Sequence, residues 1–279
     1  VFWYEIVETI PMLKPMPSTE FHALHEAVER LYEVFARYPL ITPVTGCPCC
    51  TTPADYAMLA SKPLRQLTAK DLRKYATKAL TTWGDVNDFR HFLPRLFEAM
   101  FFDNLTGEVN AEIVFDKLPY GEWRTWPQAE QDAIEQMLPV LWQTRLDTFP
   151  SFVNGHYDLL WADDVEECLC SIGQLVEDVS PFLATWLHTD SASAIYHLAQ
   201  FANSIVYHNG KVDGYWQPSQ RASLLNWLTN PLTLDTLETG FLTHFDELTI
   251  HHDEFRPEVI DFLFVTLGMN IDWLRTLKP

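Results

Sequence analysis

Glycine is scarce in this 279-residue chain, at ten in all, and no G-x-S-x-G, P-loop or G-x-G-x-x-G segment occurs. The motifs that expose a catalytic serine or cradle a phosphate on glycine-rich backbone are therefore missing. No apolar run approaches the ~18 residues that suggest a membrane span. The apolar opening Val1-Phe2-Trp3-Tyr4-Glu5 is short and lacks a basic start, so no secretion signal is expected there. Basic residues are also few: 19 Lys and Arg stand against 38 Asp and Glu, a formal charge of −19. Such a chain lacks the basic face that nucleic acid or an anionic membrane requires. The five cysteines, Cys47, Cys49, Cys50, Cys168 and Cys170, are odd in number and fall in two tight clusters. That is a poor disulfide framework, and reduced thiols in a cytoplasmic protein are the expectation.

What is present is core material. Hydrophobic residues make up 47% of the chain and aromatics 14%, which excludes a disordered polypeptide. Strand signals are nearly absent, whereas helix punctuation recurs. Phe21, Leu24, Ala27, Val28, Leu31, Val34 and Phe35 form one buried helical stripe within residues 18–38. Thr52-Pro53-x-Asp55, Thr68-x-x-Asp71 and Asp85-x-x-Asp88 read as helix starts, and Pro127 opens a helix to about Asp147. Further helices are expected near 158–175, 181–188, 191–207, 218–229, 233–247 and 257–276, with breaks at Asn230-Pro231 and Arg256-Pro257. The fold class is all-α: about ten helices in an irregular multi-helix bundle or a solenoid-like array. One helical domain over 1–279 is expected, with 1–150 and 151–279 as sub-lobes.

Charge is segregated along the chain. Residues 146–279 carry 5 Lys and Arg against 19 Asp and Glu, and no Lys or Arg lies between Arg145 and Lys211. Asp163, Asp164, Glu166, Glu167, Glu177 and Asp178 cluster in that span. Such a surface attracts a cationic protein and speeds its encounter, or serves only as a solvated face. Two stretches have the composition of interface loops: Tyr120 to Pro127, with Trp123, Arg124 and Trp126, and Gly210 to Pro218, with Tyr215 and Trp216.

Cys47-Pro48-Cys49-Cys50 is a C-x-x-C pair with an extra thiol, Cys49, inside it. Cys47 and Cys50 can hold one side of a zinc tetrahedron, form a redox-active disulfide, or be small thiols in a tight turn. Zinc needs further ligands, and Cys168, Cys170 or a histidine would have to supply them in three dimensions. Downstream, Lys62, Arg65, Lys70, Arg73, Lys74, Lys78, Arg90, His91 and Arg95 make a locally basic surface around Pro94, a mid-helix proline expected to kink its helix. Arg90, His91 and Arg95 can bind an anion, or the basic surface can pair with the acidic half. His22-x-x-His25-Glu26 and His251-His252-Asp253-Glu254 with His244 are donor clusters that match no metalloprotease pattern.

The Cys-Pro-x-Cys element, then Tyr75-x-x-Lys78-Ala79-Leu80-Thr81-Thr82-Trp83-Gly84-Asp85, then Asp88-Phe89-Arg90-His91-Phe92-Leu93-Pro94-Arg95-Leu96-Phe97-Glu98 resembles a family of uncharacterised bacterial proteins. The resemblance covers about residues 45–100 and implies a bacterial, cytosolic origin. It carries no established activity or site residue. The function expected from the residues is non-enzymatic: an acidic helical module that binds a basic protein, most specifically an immunity protein masking a toxin's functional surface. The alternative is an enzyme or regulatory module built on zinc or redox chemistry at Cys47 and Cys50.

Overall fold

A computed structural model describes residues 21–40, 44, 46–102, 108–149, 151–153, 156–158, 165–212, 214, 216–248 and 270–277. The apolar stripe near the start forms α1 (His22–Phe35), which buries Leu24, Val28, Leu31 and Phe35. Two capping boxes then start α2 (Pro53–Leu59) and α3 (Ala69–Lys78). In each, a threonine side chain accepts the backbone N–H of an aspartate whose carboxylate accepts the threonine's own N–H. Helix α4 (Val86–Phe102) follows Asp85, whose carboxylate accepts the Asn87 and Asp88 N–H groups. Pro94 lies inside α4 and is buried, and the helix runs on through it.

One element escapes the sequence reading. Helix α5 (Ala111–Tyr120) starts where the Asn110 side chain accepts the Ile113 N–H at 2.9 Å, and it carries Pro119 in its last turn. A short 3-10 turn, Trp123–Thr125, leads into α6 (Gln128–Asp147), the longest helix described. Next comes a small hairpin, β1 (Ser151–Val153) antiparallel to β2 (His156–Asp158), with Phe152 opposite Tyr157. It displaces the helix expected from residue 158, and α7 spans Val165–Gly173 instead. The remaining helices are α8 (Ser180–His188), α9 (Ala192–Tyr207), α10 (Pro218–Leu228) and α11 (Pro231–Thr243), with helical backbone again over 270–276. The protein is an all-α array in which the hairpin is the only sheet among the described residues. No helix among those residues is long and apolar enough to cross a membrane.

Helix α6 is the hub. It packs on α1 on one side and on α7, α8 and α9 on the other, so the buried residues form one connected core. Its contacts are fixed by polar side chains, two of which meet carbonyls at its own end that helical geometry leaves without partners. Ser193 Oγ donates to the Leu146 carbonyl at 2.6 Å, His197 Nε2 lies 2.9 Å from the Thr148 carbonyl, and Trp142 Nε1 donates to the Phe182 carbonyl at 2.8 Å. Gln220 does the same for α7, donating at 2.9 Å to both the Gly173 and Val176 carbonyls. These buried donors set the order in which the helices stack.

His197 gives the array a pH signature. Burial, reinforced by the charge of Arg145, drives its pKa down from 6.5 to about 3. The unfolded chain takes up a proton near that ordinary value which the folded chain refuses. Stability is therefore full above the unfolded pKa and falls as the pH drops toward the folded one. The melting temperature should drop between about pH 7 and pH 5. In His197→Gln, which keeps a donor for the Thr148 carbonyl and cannot titrate, that drop should shrink. An equal drop in both proteins would show that His197 is not its source.

Candidate functional site

The cysteine turn is built on aromatic core. Gly46 bridges to Trp83, and the Cys47 N–H donates to the Thr82 carbonyl at 2.8 Å. Pro48 and Cys49 then form the corner, and the Cys47 carbonyl accepts the Cys50 N–H at 2.9 Å and the Thr51 N–H at 3.0 Å. Thr51 Oγ1 donates to that same oxygen at 2.9 Å and sits 2.5 Å from the Tyr56 hydroxyl. The Tyr56 ring meets Trp83 edge-on at 5.8 Å, and Trp83 meets the fully buried Tyr75 at 5.5 Å. Gly46 is required by space: a Cβ there would lie 2.7 Å from Thr51 Oγ1 and 3.1 Å from the Trp83 ring.

The three thiols of this turn share one edge. Their sulfurs all lie within 4.8 Å of one another, with Cys47 and Cys49 at 2.6 Å and Cys49 and Cys50 at 3.6 Å. The sequence reading paired Cys47 with Cys50; the structure makes the intervening Cys49 the central member. All are free thiols, Cys49 exposed and its neighbours half-buried. Hydrogen bonds from the Cys49 thiol and from the Cys49 and Cys50 backbone N–H groups hold the Cys47 pKa down. The same hydrogen bonding, to Cys47 and Cys50, pushes the Cys49 thiol up to about 11. Cys168 and Cys170 are buried on α7 and lie outside this group, which is the only such donor group among the described residues.

The basic surface is mostly neutralised from within, by acids of its own half rather than of the C-terminal half. Lys62 pairs with Asp71 at 2.6 Å, Arg65 with Glu29 at 2.5 Å, Arg73 with Glu108 at 3.0 Å and Lys74 with Asp55 at 2.5 Å. The Arg65 guanidinium and the Lys74 ammonium hold the Glu29 and Asp55 carboxyls below the usual carboxylate range. The expected anion site at Arg90, His91 and Arg95 is not assembled. Arg95 is buried, donating from Nε to the Leu67 carbonyl at 2.6 Å and pairing with Glu98 at 2.8 Å. His91 Nδ1 sits 2.7 Å from the Tyr38 carbonyl. Arg90 lies over the Trp126 ring at 4.5 Å and stands 3.4 Å from Glu130, a fully buried carboxylate that also receives Arg37 and the Tyr38 hydroxyl. The three side chains are thus each engaged by a different neighbour.

The expected partner-binding aromatics are corrected in the same way. Trp123, Trp126 and Trp216 are buried. Trp126 donates from Nε1 to the Gly121 carbonyl at 2.9 Å, Arg124 covers Trp123 at 3.9 Å, and Trp216 closes on Gly173, where a Cβ would approach its ring to 3.0 Å. Each indole thus lies in the core although its loop looked open in sequence. Glu166 is buried as well, and its carboxylate accepts the Ser204 hydroxyl at 3.1 Å. Glu167 is half-buried, whereas Glu177 and Asp178 are exposed. Asp163, Asp164 and Tyr215 lie outside the described residues, as do His251 and His252. The first histidine pair is divided: His22 meets Glu26 at 3.2 Å, and His25 stacks on Phe102 at 3.9 Å.

Exposed apolar groups that the sequence reading passed over are Tyr207 at 77% and Leu242 at 72% exposure. Both lie near the end of a helix, where periodicity alone does not say which face is left open. No family model matches this chain, no curated protein matches it, and no solved structure matches its fold.

The Glu130 cluster makes a structural prediction. Glu130→Ala removes the anion that Arg37 and Arg90 converge on, and it should cost about 3 kcal/mol of stability. Denaturant titration of the two proteins measures this, and phosphate should not restore the loss. Recovery in phosphate would reinstate an anion site at Arg90.

Proposed function

We propose that this chain is an acidic, non-enzymatic binding module for a basic protein, and in its most specific form a bacterial cytoplasmic immunity protein that masks a toxin's functional surface. One observation carries the reading: how charge is neutralised differs between the two halves. Nine ion pairs among the described residues engage nine of the fourteen Lys and Arg side chains of residues 1–145. In the C-terminal half the Arg275 guanidinium is shared by Asp235, Glu238 and Asp272. Glu177, Asp246 and Glu247 stand exposed with no ion pair among the described residues. Leu242 and Phe245, at 72% and 45% exposure, precede Asp246 and Glu247 in the chain. Apolar anchors beside uncompensated carboxylates suit a partner whose cations surround an apolar centre. The toxin assignment rests on class-level analogy, since small bacterial toxins are often basic.

Affinity capture from the native host at low and high salt should yield one stoichiometric basic protein, released as the salt rises. Charge reversal by Glu177→Lys, Asp246→Lys and Glu247→Lys should then slow its association on the order of tenfold at low salt, leaving dissociation nearly unchanged. Asp178 is left intact because its carboxylate accepts the Ser180 N–H at 2.9 Å, so reversal there would disturb the start of α8. Salt-independent capture, or an unchanged association rate in the triple variant, would reject acidic steering.

A further inference from the structure

We infer that Cys47, Cys49 and Cys50 form a three-thiolate site for one thiophilic d10 cation, zinc(II) foremost, with its fourth coordination position open. The inference is independent of the partner-binding reading. Soft thiolates select zinc, cadmium or copper(I) over hard cations, and sulfur is the only donor type in this group. A zinc ion holds its sulfurs at ~2.3 Å, which places them roughly 3.8 Å apart in a tetrahedron. The spacing of 3.6 Å between Cys49 and Cys50 already meets this, and no pair exceeds 4.8 Å. Cys47 and Cys49, at 2.6 Å, must separate by about 1 Å, which rotation of the exposed Cys49 side chain provides.

The supporting geometry is a tight turn held in place by the fold. The Cys47 carbonyl takes the Cys50 and Thr51 N–H groups, and Gly46 and Cys47 are fixed to the Thr82–Trp83 backbone. The turn is therefore formed before any ion arrives. Three protein ligands with one exposed face leave room for a water or a ligand from another molecule, as in open rather than closed zinc sites. Cation uptake must displace the protons shared among the thiols, so affinity should fall as the pH falls.

The experiment is metal titration of the full-length chain, reduced and kept under anaerobic conditions, with zinc(II) and with cadmium(II) as probes. Expected are one equivalent of either ion per chain, a sulfur-to-cadmium charge-transfer band in the ultraviolet, and a zinc-induced rise in Tm. Cys47→Ser, Cys49→Ser and Cys50→Ser should each weaken binding at least tenfold, while Cys168→Ser with Cys170→Ser leaves it unchanged. The serine variants alter a surface turn, and far-ultraviolet circular dichroism checks that each remains folded. Failure of the reduced protein to take up either ion would overturn the site. So would Cys49→Ser binding as tightly as the parent, since two thiolates would then suffice.

Discussion

A carboxylate taken fully out of water destabilises a fold unless cations and donors reach it, and Glu130 is such a carboxylate. It sits in the first turn of α6, where the helix dipole favours negative charge. Arg37 and Tyr38 reach it from just beyond the end of α1, and Arg90 reaches it from α4. The Arg90 guanidinium is held in turn between the Trp126 and Tyr38 rings, at 4.5 and 5.1 Å. Three helices are thereby brought to one point with a defined rotation about each axis. Apolar stripes alone do not set that rotation, because Leu, Val and Phe pack acceptably over a range of angles. From this fixed corner α6 runs across the molecule to where Ser193 and His197 of α9 receive its end. The C-terminal helices are thus placed from the same corner.

This arrangement also accounts for the uneven electrostatics. Cations in the N-terminal half are structural: they hold helices together or seal the ends of α2 and α3, as Lys74 does on Asp55 and Lys62 on Asp71. In the C-terminal half the same structural duty falls to neutral donors, namely Ser193, His197, Gln220 and the indole of Trp186, which donates to the Ala194 carbonyl at 3.0 Å. Neutral donors fasten the helices without consuming carboxylates, and Glu177, Asp246 and Glu247 stay on the surface with no ion pair among the described residues. Self-repulsion there is a cost in stability, and the single connected core offsets it.

Much of the fold is legible in the sequence because it is written in local chemistry. The Thr52 and Thr68 capping boxes, the Asn230 cap before Pro231 and the stripe of α1 each involve residues within one or two turns of one another. Helix α5 is hidden because its single cap, Asn110, has no reciprocal acid and its last turn carries Pro119. The candidate site is less legible for a related reason. Trp123, Trp126 and Trp216 sit in segments with loop composition, and only distant partners draw them inward. An indole N–H finds a carbonyl when it is buried, so an aromatic in a loop is as readily a core residue as an interface one. The basic cluster misled in the same sense, since Arg65 finds Glu29 across 36 residues and Arg90 finds Glu130 across 40.

In sequence Cys49 is an extra thiol within a C-x-x-C pair, and the turn beneath it brings it into one group with the other two. With Pro48 fixing one backbone angle and the Cys47 carbonyl accepting from both Cys50 and Thr51, the chain doubles back within four residues. A turn that tight brings all of its side chains to one edge, whatever the spacing rule for two ligands on a longer loop. Its rigidity is borrowed from the core, through Thr51 to Tyr56, Tyr56 to Trp83 and Trp83 to Tyr75. The turn's backbone is thus satisfied by the fold, while its sulfurs find hydrogen-bond partners chiefly in one another. Thiols in that state share protons, which is why Cys47 and Cys49 are displaced in opposite directions. A cation that replaces those protons meets ligands already gathered, and little chain entropy remains to be lost when it binds.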